Sequence, residues 1–169
     1  MVRLLGLEMS GAKFGLRIFL AVVFGALAFA VFYLVPASIG PLAKLVAGPA
    51  NASAVGALVD SLVSPGLPLV GIAVAALVFV GVFLRGTKAY GPVLVVLGLA
   101  LLAYVYALFQ GGTVHVTIPQ LSQYAASGSI AVDLTDLMYL FMVPAVLTLL
   151  KGVVLTATKP DGTPAPPSA

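Results

Sequence analysis

The chain contains no cysteine and no tryptophan. The first absence excludes disulfides, thiolate metal sites, iron–sulfur clusters and thiol nucleophiles in one step. Charge is nearly as scarce: 8% of the residues are charged, against about a quarter in an ordinary soluble domain. A single histidine excludes bis-histidine haem ligation within one chain. The scarcity of Asn, Gln and Cys, all thermolabile types, points to a thermophilic source.

What fills the chain instead is apolar. Hydrophobic residues make up 62% of it and the mean hydropathy is +1.20, far from the soluble balance. The expected class is an all-α, polytopic membrane protein. Its 169 residues leave room for three to five spans of about 20 residues and no soluble domain. The net charge of +3 does not imply a nucleic-acid partner, because Arg3, Lys13, Arg17, Lys44, Arg85, Lys88, Lys151 and Lys159 nowhere form a run. Scattered cations at the ends of apolar segments read as orientation signals, so the expected partners are the lipid bilayer and other membrane subunits or copies of the chain itself.

Four transmembrane helices are expected, at about 14–35, 67–84, 93–109 and 134–157, within one membrane domain spanning 1–158. The first run is longer than the apolar core of a signal peptide and reads as a retained span, with Ala37 and Ser38 leaving cleavage as the alternative. Ala21, Gly25 and Ala28 recur at i, i+4 and i+7, a small-residue face on which another helix can approach closely. Pro36 is expected to stop this helix. The connection 36–66 is cut by Pro41, Pro49, Pro65, Gly40, Gly48 and Gly66 and reads as too interrupted to span. Within it, Ser53 can cap a short helix over 53–63, with an apolar stripe at Val55, Leu58, Val59, Leu62 and Val63 opposite Asp60. That helix is expected along the membrane surface or over the helix ends. Asn51-Ala52-Ser53 matches a glycosylation sequon but reads as a turn and cap.

The second run carries no polar side chain, and a tight link from Arg85 to Pro92 joins it to the third as a hairpin. Ala103 and Ala107 give the third run its own small-residue face. Alternation at Thr113 to Ile118 and at 129–132 predicts a short β-hairpin between helices 3 and 4, forming a small external cap. Pro119 and Gly128 frame a short helical piece at 120–127. The tail at 159–169 is proline-rich and expected to be disordered. With four spans, seven cations fall on one side and Lys44 alone on the other. The positive-inside rule then puts both termini in the cytoplasm of a cell-membrane protein.

Chemistry-bearing residues gather at 110–157. His115, Asp133, Asp136 and Tyr139 form the candidate external site. In one reading they bind or pass a cation or proton. In the other, Asp133 caps the fourth helix, Asp136 meets its dipole and His115 is merely solvated. Arg17 and Lys151 lie close enough to span ends to snorkel, and Pro144 bends the fourth helix. There is no HExxH, no phosphate-cradling loop, no serine–histidine pairing within a span and no aspartate pair at mid-membrane depth, so no enzyme, cofactor or metal is expected. Tetraspan families share the in–out layout, but their cysteine and tryptophan signatures are absent here, and the sequence points to no known family. The functional expectation is a non-catalytic structural or accessory subunit of a larger membrane assembly. The alternative is a small homo-oligomeric channel or carrier for ions or small solutes. A membrane enzyme built on His115 and the aspartates is a third.

Overall fold

The structure, a computed structural model, describes residues 2–4, 7–9, 11–48, 52–53, 55–56, 59, 63–64, 66–118 and 128–158. The expected helical piece at 120–127, the proline-rich tail at 159–169, and Asn51 and Asp60 lie outside the described residues. The described chain is mostly helical. Helix α1 (Gly11–Phe29) passes through a π-helical turn (Ala30–Leu34) into α2 (Val35–Ala47). Then follow α3 (Leu67–Phe83), α4 (Tyr90–Leu108) and α5 (Thr135–Ala157). A two-stranded hairpin, β1 (Val2–Leu4) with β2 (Leu7–Met9), precedes α1 and had no signal in the sequence reading. A second, β3 (Thr113–Ile118) with β4 (Gly128–Asp133), joins α4 to α5 where alternation predicts it.

Pro36 does not stop the first helix, which corrects the sequence expectation. The helix runs unbroken from Gly11 to Ala47, 37 residues. The proline has no N–H for the Phe32 carbonyl four residues back, and in a regular α-helix its ring would strike that carbonyl. The π turn over Ala30–Leu34 adds a residue to the coil, with the Val35 N–H donating to the Ala30 carbonyl, and leaves Pro36 at the start of α2, where proline is tolerated. At 1.5 Å per residue the whole helix measures about 55 Å, well beyond the roughly 30 Å hydrocarbon core. The chain after α2 folds back along it: Gly40 faces Val59, and Gly56 lies against the Lys44 side chain. This is the region that the sequence assigns to a surface helix.

Three helices are long and apolar enough to cross a membrane: Gly11–Ala47, Tyr90–Leu108 and Thr135–Ala157. Helix α3 is equally apolar and, at 17 residues, slightly shorter. Packing follows chain order, α1 on α3, α3 on α4, and α4 on α5. The main core lies between α3 and α4, where Leu67, Val74, Leu94, Leu97 and Tyr104 are buried and Phe32 of the π turn reaches in. Phe32 and Tyr104 meet edge-on at 5.0 Å.

Small residues set the helix spacing. Ala21 is fully buried, Ala28 nearly so, and a Cβ at Gly25 would touch the Phe79 side chain at 3.0 Å. On α4 the close approach is not at Ala103, which is exposed, whereas Ala107 packs against the core. It is at Gly98 and Gly91, seven residues apart. A Cβ on Gly98 would lie 2.6 to 2.8 Å from Leu149 atoms, and one on Gly91 would lie 2.6 Å from the Thr156 hydroxyl. Gly152 faces Val95 in return. The pairs advance along α4 as they retreat along α5, so the two helices are antiparallel over their length.

Candidate functional site

The contacts define two ends. Phe14 meets Phe83, and Gly91 meets Thr156, at the end carrying Lys13, Arg17, Arg85 and Lys88. Phe109 packs with Met138, and Phe32 with Tyr104, at the opposite end, which bears the β3–β4 hairpin. His115, Asp133, Asp136 and Tyr139 all fall at this hairpin end.

Their placement begins with a sharp reversal after α4. Gln110, Gly111 and Gly112 all have positive φ, 50°, 80° and 103°, a conformation in which glycine carries no steric penalty. The Gly112 N–H donates to the Phe109 carbonyl at 2.8 Å, and the Leu134 N–H donates to the Gly112 carbonyl at 2.7 Å. A Cβ on Gly112 would lie 2.7 Å from the Thr135 hydroxyl, so the turn seats directly on the first residue of α5. Hairpin and helix are thus fixed to each other through backbone groups.

The register pairs Thr113 with Asp133 and His115 with Ala131. Alternation along the strands puts those four residues on one face, and Val114, buried, on the other. His115 and Asp133 are diagonal neighbours, about 7–8 Å apart between backbones. Asp136 is exposed in the first turn of α5, and Tyr139, also exposed, follows on the same side one turn later. The structure therefore brings all four residues to one end of the molecule, on two adjoining elements. Among the described residues no three His, Cys, Asp or Glu side chains gather as a metal site. One imidazole with a diagonal carboxylate falls short of the four ligands zinc ordinarily takes.

Asp133 acts as a cap from one position earlier than usual. Leu134 occupies the N-cap and makes no side-chain bond, while the Asp133 carboxylate accepts the Thr135 N–H at 2.9 Å. Hydrogen bonds from the Thr135 side chain and backbone hold the Asp133 carboxyl below its usual 3.8. A lowered folded-state pKa stabilises the fold above the unfolded value, and this contribution disappears as pH falls through the folded value. Asp133→Asn is therefore expected to lower the melting temperature in detergent slightly at pH 7, since Asn still accepts the bond but carries no charge, and Asp133→Ala to lower it more. The gap between wild type and Asp133→Ala should narrow as the pH is lowered through the folded-state value and the carboxylate becomes protonated.

Within α5, Pro144 cannot donate to the Leu140 carbonyl. The Thr148 hydroxyl bonds the Pro144 carbonyl at 2.8 Å, so the hydroxyl deepest along this face is already engaged by its own helix. At the other end lies a grouping that sequence reasoning did not assemble: Lys13 and Arg17 of α1 converge with Arg85 after α3 on one cavity. Its signal was the i, i+4 spacing of two cations beside Leu16 and Leu20. Comparisons with protein-family models, with curated proteins and with solved structures returned no match to this chain.

Proposed function

We propose that this chain is a non-catalytic, multi-pass membrane protein that serves as a structural or accessory subunit of a larger membrane assembly. It crosses the membrane four times, with both termini on the cytoplasmic side of the cell membrane and the β3–β4 hairpin and α2 outside. The observation that carries this reading is the one-sided use of α5. Met138, Ala145 and Gly152 are buried along one stripe, while Tyr139, Leu140, Phe141, Leu147 and Leu150 stand exposed around the rest. The α4–α5 seam is set by glycine contacts, and the Thr156 hydroxyl beside Gly91 bonds the Gly152 carbonyl of its own helix. An outer helix of this kind offers lipid or a neighbouring subunit a broad apolar face and offers a solute no polar path.

The test is isolation in mild detergent, with the mass of the protein component measured by light scattering and co-purifying chains identified by mass spectrometry. A particle well above the 17.1 kDa of one chain, containing stoichiometric partners, is expected. A monomer with no partner counts against the reading. So does proton or metal-ion flux through the purified protein in vesicles that is lost in the double variant Asp136→Asn with His115→Gln. That outcome would establish the channel or carrier.

A further inference from the structure

The cavity at the basic end has about 390 Å³ of space and is lined by Lys13, Leu16, Arg17, Leu20, Phe24, Val82 and Arg85. Its chemistry is divided. Three of the lining residues are cations, and the other four, Leu16, Leu20, Phe24 and Val82, are apolar. Lys13 and Arg17 lie one turn apart on the same face of α1, as do Leu16 and Leu20, with Phe24 a turn further into the apolar zone. The two carboxylates whose side chains the structure describes, Asp133 and Asp136, lie at the opposite end of the molecule. The Arg17 Nη1 atom is buried and has no hydrogen-bond partner among the described residues. A buried, unmet donor is costly, more so when charged, and like charges brought together add to that cost. Among the described residues, the cavity gathers cations without an anion to meet them.

We propose that this cavity binds one anionic phospholipid, with the phosphate bridging Arg17 and Arg85 beside Lys13 and an acyl chain lying along Leu20 and Phe24. A guanidinium presents paired donors that match phosphate oxygens, and basic pockets between spans at the cytoplasmic side are where lipid headgroups sit. A free phosphate would satisfy the cations but leave the apolar half of the cavity uncovered. A zwitterionic headgroup would carry its own cation into a cluster of three. The inference rests on the membrane reading above for the placement of the cavity at the headgroup level.

The experiment compares thermal stability of the purified full chain in neutral detergent with added phosphatidylglycerol, phosphatidylcholine or inorganic phosphate, and counts retained lipids by native mass spectrometry. Wild type should be stabilised by phosphatidylglycerol and retain one molecule at least tenfold more readily than phosphatidylcholine. Arg17→Gln should melt higher than wild type in lipid-free detergent, because the unmet buried guanidinium donor is gone, and should lose the phosphatidylglycerol response. Arg85→Gln should lose most of the response, and Lys151→Gln, an exposed cation outside the cavity, should keep it. Equal responses to the two lipids, a response preserved in both arginine variants, or one equally lost in Lys151→Gln would overturn the proposal. Stabilisation by inorganic phosphate alone would overturn the lipid as the source. If the chain is released from membranes by alkaline carbonate, the membrane reading fails. If it stays embedded but shows no headgroup preference, only the lipid site fails.

Discussion

Gly71→Ala is expected to damage the fold more than any other single glycine-to-alanine change in the spans. In water-soluble helices such a change gains roughly 0.5–1 kcal/mol from backbone entropy, so the sign depends on what the new methyl meets. At Gly71 it would overlap the Phe32 carbonyl oxygen, a backbone atom that no rotamer change can move. That carbonyl belongs to the π turn, which exists because Pro36 follows four residues later. Relieving the clash therefore means pushing α3 away from α1 or rebuilding the turn, at the core where Leu67 and Val74 are buried against α4. Overpacking of this kind costs about 1–3 kcal/mol and more when backbone must shift. A net loss of about 3 kcal/mol is expected, read as a lower melting temperature in detergent. Gly98→Ala should follow, since its methyl would press on Leu149 backbone as well as side chain, and Gly15→Ala should be neutral or slightly stabilising, having nothing within 4 Å. Equal melting temperatures for Gly71→Ala and Gly15→Ala would show that α1 and α3 are not packed through this contact.

The same residues show what could be read from the chain alone. Apolar runs mark helices because nothing else buries so many side chains, and the hairpin over Thr113 to Ile118 was legible because period-two alternation is local. The small face at Ala21, Gly25 and Ala28 was legible for the same reason. Gly71, Gly91, Gly98 and Gly152 were not singled out, since a glycine in an apolar run gains meaning only from the backbone brought against it. Pro36 misled for a physical reason. Its local preference is to end a helix, and a π turn with a glycine opposite it removes the conflict from a distance. At the candidate site, capping by Asp133 was legible from its place before an apolar run, although the carboxylate acts from one position earlier than the usual cap. The cluster of Lys13, Arg17 and Arg85 joins residues from two helices far apart in sequence. Single-segment reading sees only cations near span ends.

A membrane-impermeant maleimide should label His115→Cys in intact cells and leave Lys88→Cys unlabelled until the membrane is opened. The native chain has no cysteine, so each variant reports one position, and both residues are exposed. The prediction turns on α3. Its 17 residues measure about 25 Å, some 5 Å short of the hydrocarbon core, and mismatch costs fractions of a kcal/mol per Å. Failure to cross would expose its apolar side chains, each worth on the order of 1.5–3 kcal/mol buried. It would also carry Arg85 and Lys88 to the outer side, against the charge bias. The burial term exceeds the mismatch by several-fold. Side-by-side packing adds a geometric argument: α3 runs antiparallel to α1 from Gly71 beside Phe32 to Phe83 beside Phe14, so a bilayer crossed by α1 at that depth encloses α3 too. With three crossings instead of four, every later segment changes side. Lys88→Cys would label from outside, His115→Cys would be protected, and Ala157→Cys at the end of α5 would become accessible. That reversed pattern would overturn the four-crossing layout and the cytoplasmic placement of the C-terminus, and with them the lipid site's position on the inner leaflet.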